Sequence, residues 1–69
     1  MSTLILTPLG TQHAENTSSR GPDFAVLSYM YEIGGPVDFD EIVEHLRTDE
    51  EKASMIVRSL LRDGLIKET

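Results

Sequence analysis

The sequence predicts a mainly α-helical domain with a small antiparallel β-sheet (α+β): a three-helix core closed by strands from the two ends of the chain. Three observations carry this expectation. Three stretches between residues 23 and 63 repeat apolar side chains at helical spacing, each with a start and a stop signal. Two short aliphatic runs, residues 3–7 and 65–68, stand outside these stretches, and each needs a strand partner. Finally, residues 1–69 make a single small domain, because a chain of this length buries only about 60% of its unfolded surface and supports one core.

Taken in order, Thr3-Leu4-Ile5-Leu6-Thr7 is β-branched and aliphatic, and Pro8 stops it because proline has no N–H for a ladder. Thr7-Pro8 also opens a helix, with threonine as cap and proline at the first helical position. Residues 8–22 are therefore a short helix or loop: one or two turns over residues 9–15, weakened by Gly10, then a polar loop over 16–22. Asp23 caps the first core helix, which runs to about Ile33 and turns Phe24, Val26, Leu27, Met30 and Ile33 inward. Gly34-Gly35-Pro36 ends it, first by a left-handed cap and then by proline. Val37 makes a one- or two-residue bridge. Asp38 with Glu41 reads as a capping box for the second core helix, and Val37 with Ile42 as its hydrophobic staple. Phe39, Ile42, Val43 and Leu46 form its apolar side.

A turn at Arg47-Thr48-Asp49 leads to the third core helix, which ends near Asp63. Thr48 with Glu51 is one cap for it, and Asp49 is the competing cap. Ala53, Ile56, Val57 and Leu60 fall at i, i+3, i+4 and i+7, one amphipathic stripe. Gly64 takes the C-cap position, and residues 65–68 leave as a strand expected to pair antiparallel with residues 3–7.

At 39% hydrophobic and 26% charged residues, the composition is that of an ordinary globular domain. Twelve acidic and six basic residues give a net charge of −6, which opposes phosphate-driven binding to nucleic acid while leaving room for a local basic patch. No apolar run approaches the roughly 20 residues that span a membrane. Leu4-Ile5-Leu6 is too short for a signal peptide and no basic residue precedes it. Without cysteine, disulfides and thiolate metal sites are excluded. A cytoplasmic protein with no membrane partner is the simplest expectation.

Catalytic, metal and cofactor chemistry find no constellation. His13 and His45 lie far apart and neither has a partner at i+4, so zinc spacing is missing. Asp38-Phe39-Asp40-Glu41 lacks the glycine and the twelfth-position glutamate of a calcium loop. Gly34-Gly35 is a helix stop. Asn16-Thr17-Ser18 matches a glycosylation sequon without a secretion signal beside it. Tyr29 and Tyr31 flank the core face of the first core helix; Tyr29 is expected half-buried, with an outward, partner-facing position as the alternative.

Over residues 24–68, Gly34-Gly35-Pro36-Val37, Glu41-Ile42, Leu46, Ala53, Ile56-Val57, Leu60 and Gly64-Leu65-Ile66 stand at the spacing of the winged helix–turn–helix superfamily. The chain resembles the DNA-binding domains of the arsenic-type and multiple-antibiotic-resistance-type repressors. It departs from them in three ways. Thr69 follows directly on what resembles the first wing strand, so the second wing strand is missing from its usual place. Residues 4–10, Leu-Ile-Leu-Thr-Pro-Leu-Gly, resemble the segment that closes the wing, which makes a two- or three-stranded sheet with a permuted wing strand the expectation. Arg47 and Thr48 stand where the family often carries small and aliphatic turn residues.

The resemblance implies a small DNA-binding-type protein, a transcriptional regulator or an accessory to one, whose third core helix enters the major groove. By position Lys52, Ser54, Met55 and Arg58 would face the groove, with Arg62 near phosphate. The alternative is an acidic protein–protein interaction module that uses the same face without touching DNA. Asp49, Glu50 and Glu51 suit a helix start, where the macrodipole favours acids, but they repel phosphate. Arg58 and Arg62, like charges four residues apart, cost a few tenths of a kcal/mol in an isolated helix. An anionic partner or pairing with Asp38, Glu41 or Glu44 would neutralise them; plain solvation is the further alternative. A monomer is expected to bind DNA weakly; a homodimer or a more basic partner would let two modest faces add.

Overall fold

The computed structural model describes residues 3–16 and 21–69. Its elements are β1 (Thr3–Leu6), α1 (Pro8–Glu15), α2 (Pro22–Ile33), β2 (Val37–Asp38), α3 (Phe39–Leu46), α4 (Glu50–Arg62) and β3 (Ile66–Glu68). Residues 17–20, which include most of the polar loop and the last two sequon residues, lie outside the described residues.

The N-terminal strand is central in the sheet, whose order is β2-β1-β3, all antiparallel. Leu4, Ile5 and Leu6 pair with Glu68, Lys67 and Ile66, as expected of the two chain ends. The bridge at Val37 adds a third strand, with Leu4 opposite Val37 and Thr3 opposite Asp38. Side chains alternate across a strand, so Leu4 points into the core and is almost completely buried.

Thr7 locks the corner after β1. Its N–H donates to the Leu65 carbonyl (3.1 Å) and its hydroxyl donates to the Gly64 carbonyl (2.6 Å). The same hydroxyl accepts from the Gly10 N–H (3.0 Å), the expected helix cap. Gly10 is buried, and a Cβ placed there would lie 1.8 Å from the Leu65 carbonyl oxygen. The glycine that weakens α1 as a helix is what lets α1 close on the α4–β3 turn.

Local corrections follow from tertiary pairing. Gly21, not Asp23, occupies the cap position of α2, with no side-chain cap bond; Asp23 lies in the first turn, near the positive end of the dipole. Ile33 is 51% exposed rather than buried, since it is the last residue of α2 and both Glu32 and Gly34 beside it are exposed. Asp38 stands at the cap position of α3 but makes no side-chain cap bond. Its carboxylate accepts instead from the Thr3 hydroxyl (3.2 Å), because strand pairing brings Thr3 opposite it. Asp49 caps α4, accepting from the Lys52 N–H at 2.8 Å, so the Thr48 alternative is not used. The cap residue at the other end of α4 is Asp63, one position before the glycine expected there. Gly64 follows in the left-handed region (φ 75°), and its N–H bonds to Leu61 while the Leu65 N–H bonds to Leu60. This doubly bonded ending needs a left-handed residue, which glycine adopts without steric cost.

The core lies between the sheet and helices α2, α3 and α4. Val26, Leu27 and Met30 meet Ile42, Val57, Leu60 and Ile66 there, with Phe39, Leu46 and Ile56 half-buried at its edge.

Candidate functional site

The residues expected to face a partner all stand on α4. Its inner side is set by Ala53, Val57 and Leu60, which are buried. At roughly 100° per residue, Glu51, Met55, Arg58 and Arg62 fall within about 60° of one another on the opposite side. All four are exposed, and Met55 is 66% exposed, the most open large apolar side chain among the described residues. The helix therefore presents a crest with acid at its start, methionine in the middle and arginines toward its end.

Lys52 and Ser54 leave that crest on its two flanks. Lys52 lines a shallow cleft of about 230 Å³ with Pro22, Leu46, Thr48 and Ile56. Ser54 and Arg58 line a groove of about 280 Å³ on the other flank, floored by Leu4, Phe39, Val57 and Leu61 and closed by Glu68. Of the five expected residues, Met55, Arg58 and Arg62 are thus brought together, Ser54 borders them, and Lys52 is set apart.

Charge over the C-terminal third of the chain is balanced. Residues 47–69 carry five basic and five acidic side chains, so the whole excess of six acids belongs to residues 1–46. The single ion pair among the described residues joins Arg62 Nε to Asp63 at 3.7 Å, with both side chains largely exposed. Among the described residues neither Arg58 nor Arg62 pairs with Asp38, Glu41 or Glu44, one of the alternatives for these arginines. Glu41 is engaged elsewhere, accepting from the Tyr29 hydroxyl at 3.3 Å.

That contact belongs to a cluster which sequence reasoning left unassembled. Tyr29 on α2 is half-buried and stacks on His45 of α3, ring centroids 4.2 Å apart and planes inclined by 21°. Partial burial first, and then the neighbouring Glu41 and Glu44 carboxylates, push its phenol above the ordinary value. Tyr31 is exposed and donates to Glu15 of α1 at 3.0 Å; that bond and the negative charge of Glu15 raise its phenol in the same direction. Glu41 and His45 are four apart, hence neighbours on one helix face, and that spacing was visible in the sequence.

Among the described residues no three His, Cys, Asp or Glu side chains converge to hold a metal ion, and no helix is long and apolar enough to cross a membrane. In comparisons with protein-family models, curated proteins and solved structures, nothing matches the chain.

Proposed function

We propose that the protein is a winged-helix-type module that meets duplex DNA through α4, as a small cytoplasmic transcriptional regulator or an accessory to one. One observation carries this reading. Arg58 stands exposed on the outer side of a thirteen-residue helix, and among the described residues no carboxylate pairs with it or with Lys52 on the helix's other flank. Unpaired cations on an accessible helix are the groups that meet phosphate and guanine edges. The sheet order lends support, since β1 lies beside β3, as a wing strand carried at the N-terminus would.

Charge sets the strength. Each neutralised phosphate adds about 0.9 to the salt slope, so Lys52, Arg58 and Arg62 together allow at most about 2.7. Against Asp49, Glu50 and Glu51, the monomer is expected to bind random duplex no tighter than about 10⁻⁴ M at physiological salt. A titration of mixed duplex over a range of salt concentrations tests this. Binding that weakens as salt rises, and is lost in Lys52→Glu and Arg58→Glu, supports the reading. Complete absence of binding at low salt removes it.

The second reading is a protein-interaction module, favoured by the exposed Met55 and the acidic helix start. Methionine is a flexible, polarisable contact residue common at binding surfaces. This reading takes first place if charge reversal at Lys52 and Arg58 leaves function untouched.

A further inference from the structure

We infer that α4 is self-complementary and that two copies of the chain pair through it, antiparallel, about a two-fold axis passing beside Met55. The charge order along the exposed side of the helix carries this. Glu51 stands at its start, Arg58 and Arg62 toward its end, and Met55 lies between them.

With a rise of about 1.5 Å per residue, Glu51 lies about 6 Å from Met55 toward the N-terminus and Arg58 about 4.5 Å toward the C-terminus. Laying a second α4 antiparallel with the methionines opposed sets Arg58 beside the partner's Glu51. Two-fold symmetry repeats each contact, as a self-complementary interface requires. The opposed macrodipoles reinforce it.

The dipole of a single helix accounts for acids at one end and arginines at the other. It does not require Glu51, Arg58 and Arg62 to share one exposed stripe with a 66%-exposed methionine, whose apolar surface the pairing covers. Nor are the charges satisfied internally, since Arg62 holds only its neighbour Asp63 at 3.7 Å.

The dimer is weak. A single-helix contact falls below the usual size of stable interfaces, and two chains of net charge −6 repel at long range. About 0.1 M salt screens that repulsion beyond roughly 10 Å and spares contacts at ion-pair distance. A dissociation constant on the order of 0.1 mM is expected under those conditions. This pairing also covers Met55, Arg58 and Arg62, so any partner of that face competes with the second copy. It rests on the charges of α4 and not on the DNA reading, and an experiment without DNA tests it separately.

The experiment is sedimentation equilibrium of the full chain at about 0.1 M salt and concentrations up to about 1 mM, a range chosen to bracket a weak dimer. Arg58→Glu and Glu51→Arg should each weaken the dimer about tenfold, because symmetry counts every lost ion pair twice. The double variant Glu51→Arg/Arg58→Glu restores complementarity and should return to nearly the parent value. All these positions are exposed, and circular dichroism confirms that each variant is folded. As the chain has no cysteine, Met55→Cys should also cross-link into a disulfide dimer under mild oxidation faster than Gln12→Cys on the exposed side of α1. A chain that stays monomeric at the highest concentration overturns the proposal. So does a double variant no better than the single ones, or equal cross-linking at both cysteine positions.

Discussion

Gly10 shows how one residue answers to the fold rather than to its own helix. Propensity alone makes alanine better by up to about 1 kcal/mol in a helix. Here a Cβ would meet the Leu65 carbonyl oxygen, a backbone atom held by the Thr7 N–H, and backbone cannot swing aside as a side chain does. Gly10→Ala should therefore destabilise by about 1–3 kcal/mol despite the propensity gain. Gly35→Ala, where nothing lies within 4 Å of the added carbon, should stay within about 1 kcal/mol of the parent. Urea unfolding of the two variants checks the contrast; equal midpoints would mean that α1 does not close on Leu65. The tyrosines give a pH signature at the same scale. Both phenols are raised in the folded state, Tyr29 by partial burial and Glu41, Tyr31 by its bond to Glu15. A folded pKa above the unfolded one contributes stability that is fully present below the unfolded value near 10 and is lost as pH rises through the folded value. Stability should hold through neutral pH and fall in the strongly alkaline range. Tyrosinate absorbance should titrate later in the native protein than in urea, and Tyr31→Phe should reduce that difference.

Among the elements, α4 separates core from crest most cleanly. Leu60 is fully buried and Met55 is mostly exposed. Leu60→Ala should cost about 2–5 kcal/mol, comparable with the whole stability of a domain this small, and leave the chain largely unfolded. Met55→Ala should leave the melting temperature nearly unchanged, and equal losses would mean that the helix is rotated from this placement. The inward stripe of α4 was legible because burial and helical period coincide there: a 3.6-residue repeat can hide only one side. Caps were less legible. Asp38 and Asp49 are both acids before an apolar helix, and sequence alone treats them alike. Asp38 lies in a strand opposite Thr3 and gives its carboxylate to that hydroxyl, whereas Asp49 has no strand partner and caps its own helix. The crest was legible as a set of residue types; that Lys52 departs into a separate cleft follows from the packing of α4 beside Pro22 and Leu46.

At the scale of the whole molecule, the first strand has two neighbours and the other strands have one each. Losing β1 leaves both β2 and β3 without a partner, and short unpaired strands are not stable in water. Deleting residues 1–7 should therefore abolish the cooperative thermal transition rather than merely lower its midpoint. A clean transition in that truncated chain would show that the helices fold without the central strand. In the intact protein, nuclear Overhauser contacts between the strands opposite Ile5 and Lys67 report the same pairing. The sequence by itself determined the three core helices, the two end strands and their antiparallel pairing, and left α1 open between helix and loop. Each of these follows from a periodicity, a proline or glycine stop, or the need of backbone groups for partners. Tertiary structure alone decided that the bridge at Val37 pairs with Leu4, that Gly10 sits under the Leu65 carbonyl, and that Tyr29, Glu41 and His45 form one cluster. Those contacts join residues distant along the chain, and their geometry is set by how whole elements pack, which no local spacing encodes.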